Sequence, residues 1–235
     1  MNEAFRGERW SGTDAVTEIY RRTIGAGGED TMNYDLAYAV GFHPWETALQ
    51  NREFVNSITA LFAEEERDRA PPYGSALDIG TGSGIWGVEL AKRGWQVTGV
   101  DYAKRAIRRA ENRVEQANVD MELVHGDVTD LAGAGIDGPF RLLLDTGTYH
   151  GLKPTQREAM AAEIDAVAGS DATILLLAWE PRRRGPLPTG ATREELETAF
   201  PDWRVTDLGR TSFEAPKPVE VLMRPNEHWY RLRRE

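Results

Sequence analysis

Ala76-Leu77-Asp78-Ile79-Gly80-Thr81-Gly82-Ser83-Gly84 is an apolar run that ends in an acid and is followed at once by three glycines at alternate positions, with the helical segment Ile85 to Arg93 behind it. A strand that runs into a glycine-rich turn and then a helix is how an α/β sheet makes a floor for a nucleotide-like ligand. Gly82-Ser83-Gly84-Ile85-Trp86-Gly87 also satisfies the G-x-G-x-x-G dinucleotide pattern, a weak signal when it stands alone. A pyrophosphate at such a turn wants backbone N–H groups and the positive end of a helix, and a carboxylate beside it is repulsive. Asp78 holds that position, so the turn suits a cationic ligand, such as one carrying an ammonium and a sulfonium group. The competing reading is a glycine turn that merely lets the helix pack on the strand.

Downstream, strand-like and helix-like segments alternate, which is the pattern of a parallel sheet covered on both faces. Gln96 to Asp101 reads as a second strand and Met121 to Asp127 as a third. Phe140 to Asp145 reads as a fourth, and the wholly apolar Ala172 to Trp179 as a buried central one. Between them, Ala103 to Asn118 forms a charged helix with a stripe at Ile107, Ala110, Val114 and Ala117. A helix opening at Pro154 is expected to stop at Gly169. Thr192 caps a short helix that ends near Phe200. Trp203 to Leu208 and His228 to Arg233 alternate and read as two closing strands, one antiparallel. Upstream there is no strand pattern, and a helix from about Glu46 to Arg69 presents Phe54, Ile58, Leu61 and Phe62 on one face.

In open α/β sheets the ligand sits outside the carboxyl ends of the strands, where Asp78, Asp101, Asp127 and Asp145 supply one carboxylate per strand. Asp101, at the end of the second strand, suits hydrogen bonds from ribose hydroxyls, and Tyr102 suits packing on an adenine. For any one aspartate alone, a turn or cap role is the simpler reading.

The spacing Asp78-x-Gly80-x-Gly82-x-Gly84 resembles the first motif of the class I S-adenosylmethionine-dependent methyltransferases. That resemblance implies a Rossmann-like, doubly wound, seven-stranded and mostly parallel sheet in the order 3-2-1-4-5-7-6, last strand antiparallel, with a helical N-terminal extension. It implies S-adenosylmethionine as cofactor, with Asp78, Gly80, Thr81, Gly82, Gly84, Asp101, Tyr102, Asp127, Val128 and Asp145 around it, and Asp127 and Val128 at the adenine edge. Asp145-Thr146-Gly147-Thr148-Tyr149-His150-Gly151-Leu152 lacks the Asn/Asp-Pro-Pro-aromatic motif of amino-methylating DNA enzymes. It is similar instead to the small-molecule thiopurine, quinone and fatty-acid branch, as is Tyr38 to Trp45 with its glycine and proline-tryptophan. The residues after Trp45, Glu46-Thr47-Ala48, depart from that branch.

The expected activity is methyl transfer to a small molecule, at oxygen of a phenol, quinol or carboxylate. Alternatives are transfer to sulfur or nitrogen, or a nicotinamide-dependent oxidoreductase. His150 is the candidate base, because a neutral imidazole is available near pH 7; a structural hydrogen bond is the equal alternative. His43, Trp45, Tyr149 and Trp179 are candidate walls of the substrate pocket. Trp179-Glu180 stands where the catechol-type enzymes place a magnesium-binding pair, which disfavours a metal mechanism.

At 235 residues the chain has room for one sizeable core with a cap, but not for two full enzyme domains. The expected division is a helical extension or lid over residues 1–70 and the methyltransferase domain over 71–235. The net charge of −10 argues against a nucleic-acid partner, and the short basic runs Arg182-Arg183-Arg184 and Arg231 to Arg234 read as solvated. With no cysteine there is neither disulfide nor thiolate ligand, and the four histidines lack the i, i+4 spacing of a zinc helix, so no metal is expected. No apolar run reaches membrane-spanning length, and Met1-Asn2-Glu3-Ala4-Phe5 lacks a basic flank and an apolar signal core. Cytoplasmic residence is the expectation.

Overall fold

The structure, a computed structural model, describes residues 49–181, 189–211 and 226–234. Helix α1 (Arg52–Glu65) leads into strand β1 (Ser75–Ile79), followed by α2 (Ile85–Arg93), β2 (Gln96–Asp101), α3 (Lys104–Ala117), β3 (Met121–His125) and β4 (Phe140–Asp145). A one-turn 3-10 helix at Tyr149–Gly151 precedes α4 (Pro154–Val167), β5 (Ala168–Trp179), α5 (Arg193–Ala199), β6 (Trp203–Thr211) and β7 (Glu227–Arg234). The strands form one seven-stranded sheet in the order β3-β2-β1-β4-β5-β7-β6, as the motif resemblance implied. The pairings from β3 through β5 are parallel, whereas β7 runs antiparallel to both β5 and β6.

The alternation of side chains along each strand divides the core between the two faces of the sheet. Leu77, Ile79 and Leu143 face α4 and α5, packing with Met160, Ile164, Leu196 and Phe200. Ala76, Leu142, Leu144, Leu175 and Leu177 face the other way, with Trp86, Val88 and Leu90 of α2 and Phe54, Ile58 and Phe62 of α1. Those three α1 residues stand at i, i+4 and i+8, so one stripe of the helix is buried, and Leu61 packs at its margin. Arg231 of β7 ties α1 to the sheet through Glu64 and Glu65, each at 2.9 Å.

Three boundaries differ from the sequence expectation. Helix α1 is shorter than Glu46 to Arg69, because the Asn51 side chain accepts the Phe54 N–H and caps it there. Strand β3 stops at His125 rather than Asp127, since the Gly126 N–H donates to the Asp101 carbonyl and Asp127 folds into its own turn. Helix α4 ends at Val167, and β5 begins at Ala168 rather than Ala172, paired to Phe140 across an irregularity in register before Leu142 meets Thr173. The Thr192 cap is observed as a capping box with Glu195. Among the described residues no helix is long and apolar enough to cross a membrane.

Candidate active site

The glycine turn is held from below and from both sides. Asp78 points towards α2, where its Oδ2 accepts from Thr81 Oγ1 at 2.6 Å and lies against Gly87. The Thr81 N–H donates to the Val100 carbonyl, and the Gly82 N–H to Asp101 Oδ2 at 2.9 Å, so the second strand carries the turn. Gly80, Gly82 and Gly84 all adopt positive φ, which a Cβ strains. At Gly80 there is also no space: a Cβ would lie 1.9 Å from Thr148 Oγ1, in the loop after β4. Sequence reasoning missed Arg113, whose Nε donates to the Ser83 carbonyl at 2.8 Å and pins the far side of the turn from α3. One arginine on a helix already rich in charge gives no local signal.

The strand-tip acids divide by environment. Asp101 accepts one backbone N–H on each oxygen, from Gly82 and from Ala103, which leaves lone pairs on both. Asp145 is fully buried and takes three N–H groups, from Gly147, Thr148 and Tyr149, so it organises the loop that carries Tyr149 and His150. Asp127 is exposed, its Oδ1 engaged by the N–H and hydroxyl of Thr129, and Val128 beside it is buried. Tyr102 is 51% exposed, an unusual state for a large aromatic ring. Burial pushes Asp78 and Asp145 up to about 6 and raises Asp101 as well, each opposed by hydrogen bonds to its carboxylate. Among the described residues no salt bridge reaches any of the three. Buried acids with no balancing cation among the described residues fit a positively charged ligand, and S-adenosylmethionine has that charge.

The neighbouring half of the site lies at the tips of β4 and β5. Tyr149 is buried against Phe200, with the Arg157 guanidinium over its ring, and burial pushes its hydroxyl up to about 12. Arg157 is buried too and donates to the carbonyls of His150, Leu152 and Gly190, which joins the loop after β4 to the start of α5. The His150 ring stacks on Trp179 at 4.9 Å, and its Nδ1 accepts the Trp179 backbone N–H at 3.2 Å. In the neutral tautomer assigned from that bond, the proton sits on Nε2, and Nδ1 gains a lone pair for base work only by releasing Trp179. The Trp179 indole N–H donates to Glu227 Oε1 at 3.2 Å. Glu227 was not among the sequence candidates, although its place two residues before Trp229 puts both on one face of β7. His43, Trp45 and the Arg182 to Arg184 run lie outside the described residues.

Residues 76–170 match the family described as a methyltransferase domain. The 2-heptyl-1-hydroxyquinolin-4(1H)-one methyltransferase of Mycobacteroides abscessus is 29% identical over 171 residues, covering 70% of each chain. Human EEF1A lysine methyltransferase 2 is 33% identical over 117 residues; the match spans about half of that protein, 49% of its length and 45% of this chain. Among solved structures, Burkholderia thailandensis 1,6-didemethyltoxoflavin-N1-methyltransferase, with 1,6-didemethyltoxoflavin and S-adenosylhomocysteine bound, superposes with a TM-score of 0.64. It is 18% identical, over 97% of this chain and 92% of that one, a likeness of fold. The acid-ended strand, the glycine turn, the seven-stranded order with its antiparallel β7 and these relatives together support a class I methyltransferase with S-adenosylmethionine as methyl donor.

Proposed function

We propose that this methyltransferase acts on a small, flat aromatic molecule and transfers the methyl group to a hydroxyl oxygen. The observation that carries the reading is the aromatic corner at the tips of β4 and β5, where His150 stacks on Trp179 beside the buried Tyr149. Planar rings bind well against such faces. The name of the Mycobacteroides relative, a hydroxylated quinolinone, supports the same chemical class. The methyltransferase-domain match and the methyltransferase relatives speak against the nicotinamide-dependent alternative.

In this reading Asp78, Gly80, Thr81, Gly82 and Gly84 receive the charged amino-acid end of the donor. Asp101 accepts from the ribose hydroxyls with its remaining lone pairs, Tyr102 packs on the adenine, and Asp127 and Val128 meet the adenine edge. The donor supplies an activated methyl group on a sulfonium sulfur, so the protein need only align the two reactants and exclude water. Asp145 contributes by fixing the loop after β4, which sets Tyr149 and His150 against the acceptor. Trp179 forms a wall, with His43 and Trp45 as further walls and the N-terminal residues 1–70 as cover. His150 holds the acceptor through its ring face and Nε2–H; the alternative is that it removes the acceptor proton after letting go of Trp179.

Transfer of a labelled methyl group from S-adenosylmethionine to a panel tests this: 2-heptyl-1-hydroxyquinolin-4(1H)-one, a phenol, a thiol, an amine and a fatty acid. Label on a hydroxyl oxygen is expected. Label confined to the amine, the thiol or the fatty acid would overturn the choice of oxygen in a hydroxyl group.

A further inference from the structure

Among the described residues, three buried polar atoms at the end of β6 and β7 have no hydrogen-bond partner: Glu227 Oε2, Thr211 Oγ1 and Trp229 Nε1. They belong together. Thr211 is directly opposite Glu227 in the antiparallel register, and Trp229 is two residues further along the same face of β7. On the other side of β7, Glu227 is directly opposite Trp179 of β5, whose indole N–H donates to Oε1 of this carboxylate, its one hydrogen bond among the described residues. Because β7 runs against β5, its first residue stands at the carboxyl ends of the parallel strands, the edge at which ligands of open α/β sheets bind. Trp179 thus touches Glu227 through its N–H and His150 through its ring.

A carboxylate oxygen that is buried without a partner is costly, and native chains keep such a group where it has a use. Glu227 is 6% exposed. Burial, only partly opposed by the Trp179 N–H, pushes it up to about 7, where a carboxylate both ionises and holds a proton near neutrality. Other titratable groups on neighbouring elements are otherwise occupied or face solvent. His228 bonds Glu180 at 3.1 Å and Asp207 at 3.5 Å, Arg210 bonds Glu180, and Arg52 and Glu53 of α1 are exposed. His150 lies behind Trp179 with its Nδ1 lone pair taken.

We infer that Glu227 is the catalytic base of the methyl-transfer reaction: Oε2 accepts the hydrogen of the acceptor hydroxyl, with Thr211 and Trp229 providing hydrogen bonds to the acceptor's remaining polar atoms. This rests on the reading of the chain as an O-methyltransferase of small molecules. As the oxygen–methyl bond forms, the carbon–sulfur bond breaks and its electron pair stays on sulfur, so the sulfonium charge is lost. The acceptor's proton passes to Glu227, which becomes neutral and later releases it to solvent. A carboxylate acceptor has no proton to give and is repelled by Glu227, so the substrate class narrows to phenols and N-hydroxy heterocycles.

Wild type, E227Q and E227A are compared in two ways. Thermal unfolding with saturating S-adenosylhomocysteine, from about pH 5 to about pH 8, needs no acceptor. A folded-state pKa raised above the unfolded one weakens the wild type as pH rises, so E227Q is expected to melt above it, with the gap widening up to about pH 7. An E227Q protein that melts below wild type throughout would show a structural acid and overturn the proposal. In the second arm, methyl transfer to 2-heptyl-1-hydroxyquinolin-4(1H)-one is expected to fall roughly a hundredfold in kcat for E227Q, with donor KM little changed. Wild-type kcat in E227Q also overturns it. Absence of turnover by the wild type on the whole acceptor panel counts against the small-molecule reading instead, and the unfolding arm alone then decides whether Glu227 is an unpaired ionisable group.

Discussion

The two halves of the site are built in opposite ways. On the donor side, at β1, β2 and β3, every acid is tied to backbone or hydroxyl groups close by in the sheet: Asp78 to Thr81, Asp101 to Gly82 and Ala103, Asp127 to Thr129. On the acceptor side, at β4, β5 and β7, contacts join residues far apart in the chain. His150 reaches Trp179, Trp179 reaches Glu227, and three buried polar atoms nearby are unpaired among the described residues. The first half is pre-organised for one ligand. The second is under-satisfied until something binds, which is how a shared fold serves different acceptors.

The comparison can be broken at the turn first. Gly80→Ala places a Cβ into Thr148 and forces a left-handed conformation, so a loss of about 2 kcal/mol or more of stability and of measurable S-adenosylhomocysteine binding is expected. Urea denaturation and calorimetry read both. A variant with wild-type stability and affinity would mean that the turn is looser than drawn.

Asp101→Ala comes next. It strips two backbone N–H groups of their acceptor and removes the proposed ribose contact, for an expected ten- to hundredfold loss of donor affinity, or roughly 1.4–2.8 kcal/mol. Trp179→Phe should act only on the other side: it removes the indole N–H from Glu227 and thins the aromatic wall, raising acceptor KM roughly fivefold, about 1 kcal/mol, while leaving donor affinity alone. Equal loss of donor affinity in that variant would merge the two halves.

The smallest effect is in pH. Asp78 and Asp145, both pushed up to about 6, bind protons more tightly folded than unfolded, as does Glu227, pushed up to about 7, so stability of the donor-free protein is expected to fall as pH rises from about 4 and to level off only above about 7. Affinity for S-adenosylmethionine should move the other way, because ionised acids favour the cation. Urea titrations and calorimetry at several pH values check the two slopes. Stability that rises over that interval would show that the carboxylates are better paired than they are here.

The same division explains how much could be read from the chain. The donor side lies within Asp78 to Val128, and its glycine spacing and strand-tip acids are local patterns that survive in one dimension. Strands such as Gln96–Asp101 and Phe140–Asp145 begin and end where alternation places them. Boundaries slipped where a tertiary contact overrode local preference, as at Gly126 and Ala168, and at Asn51, where a local side-chain cap starts the helix. Glu227 and Thr211 escaped notice because nothing near them in sequence marks them. They meet only through the antiparallel register of β6 and β7, and Trp179 only through the pairing of β5 with β7.

The most direct test titrates S-adenosylhomocysteine calorimetrically into wild type, Asp101→Ala and Trp179→Phe under one set of conditions. The account predicts tight binding to wild type and Trp179→Phe, and a loss of at least about tenfold in Asp101→Ala. Unchanged affinity in Asp101→Ala, or an equal loss in both variants, would contradict a donor site that is complete without the acceptor half.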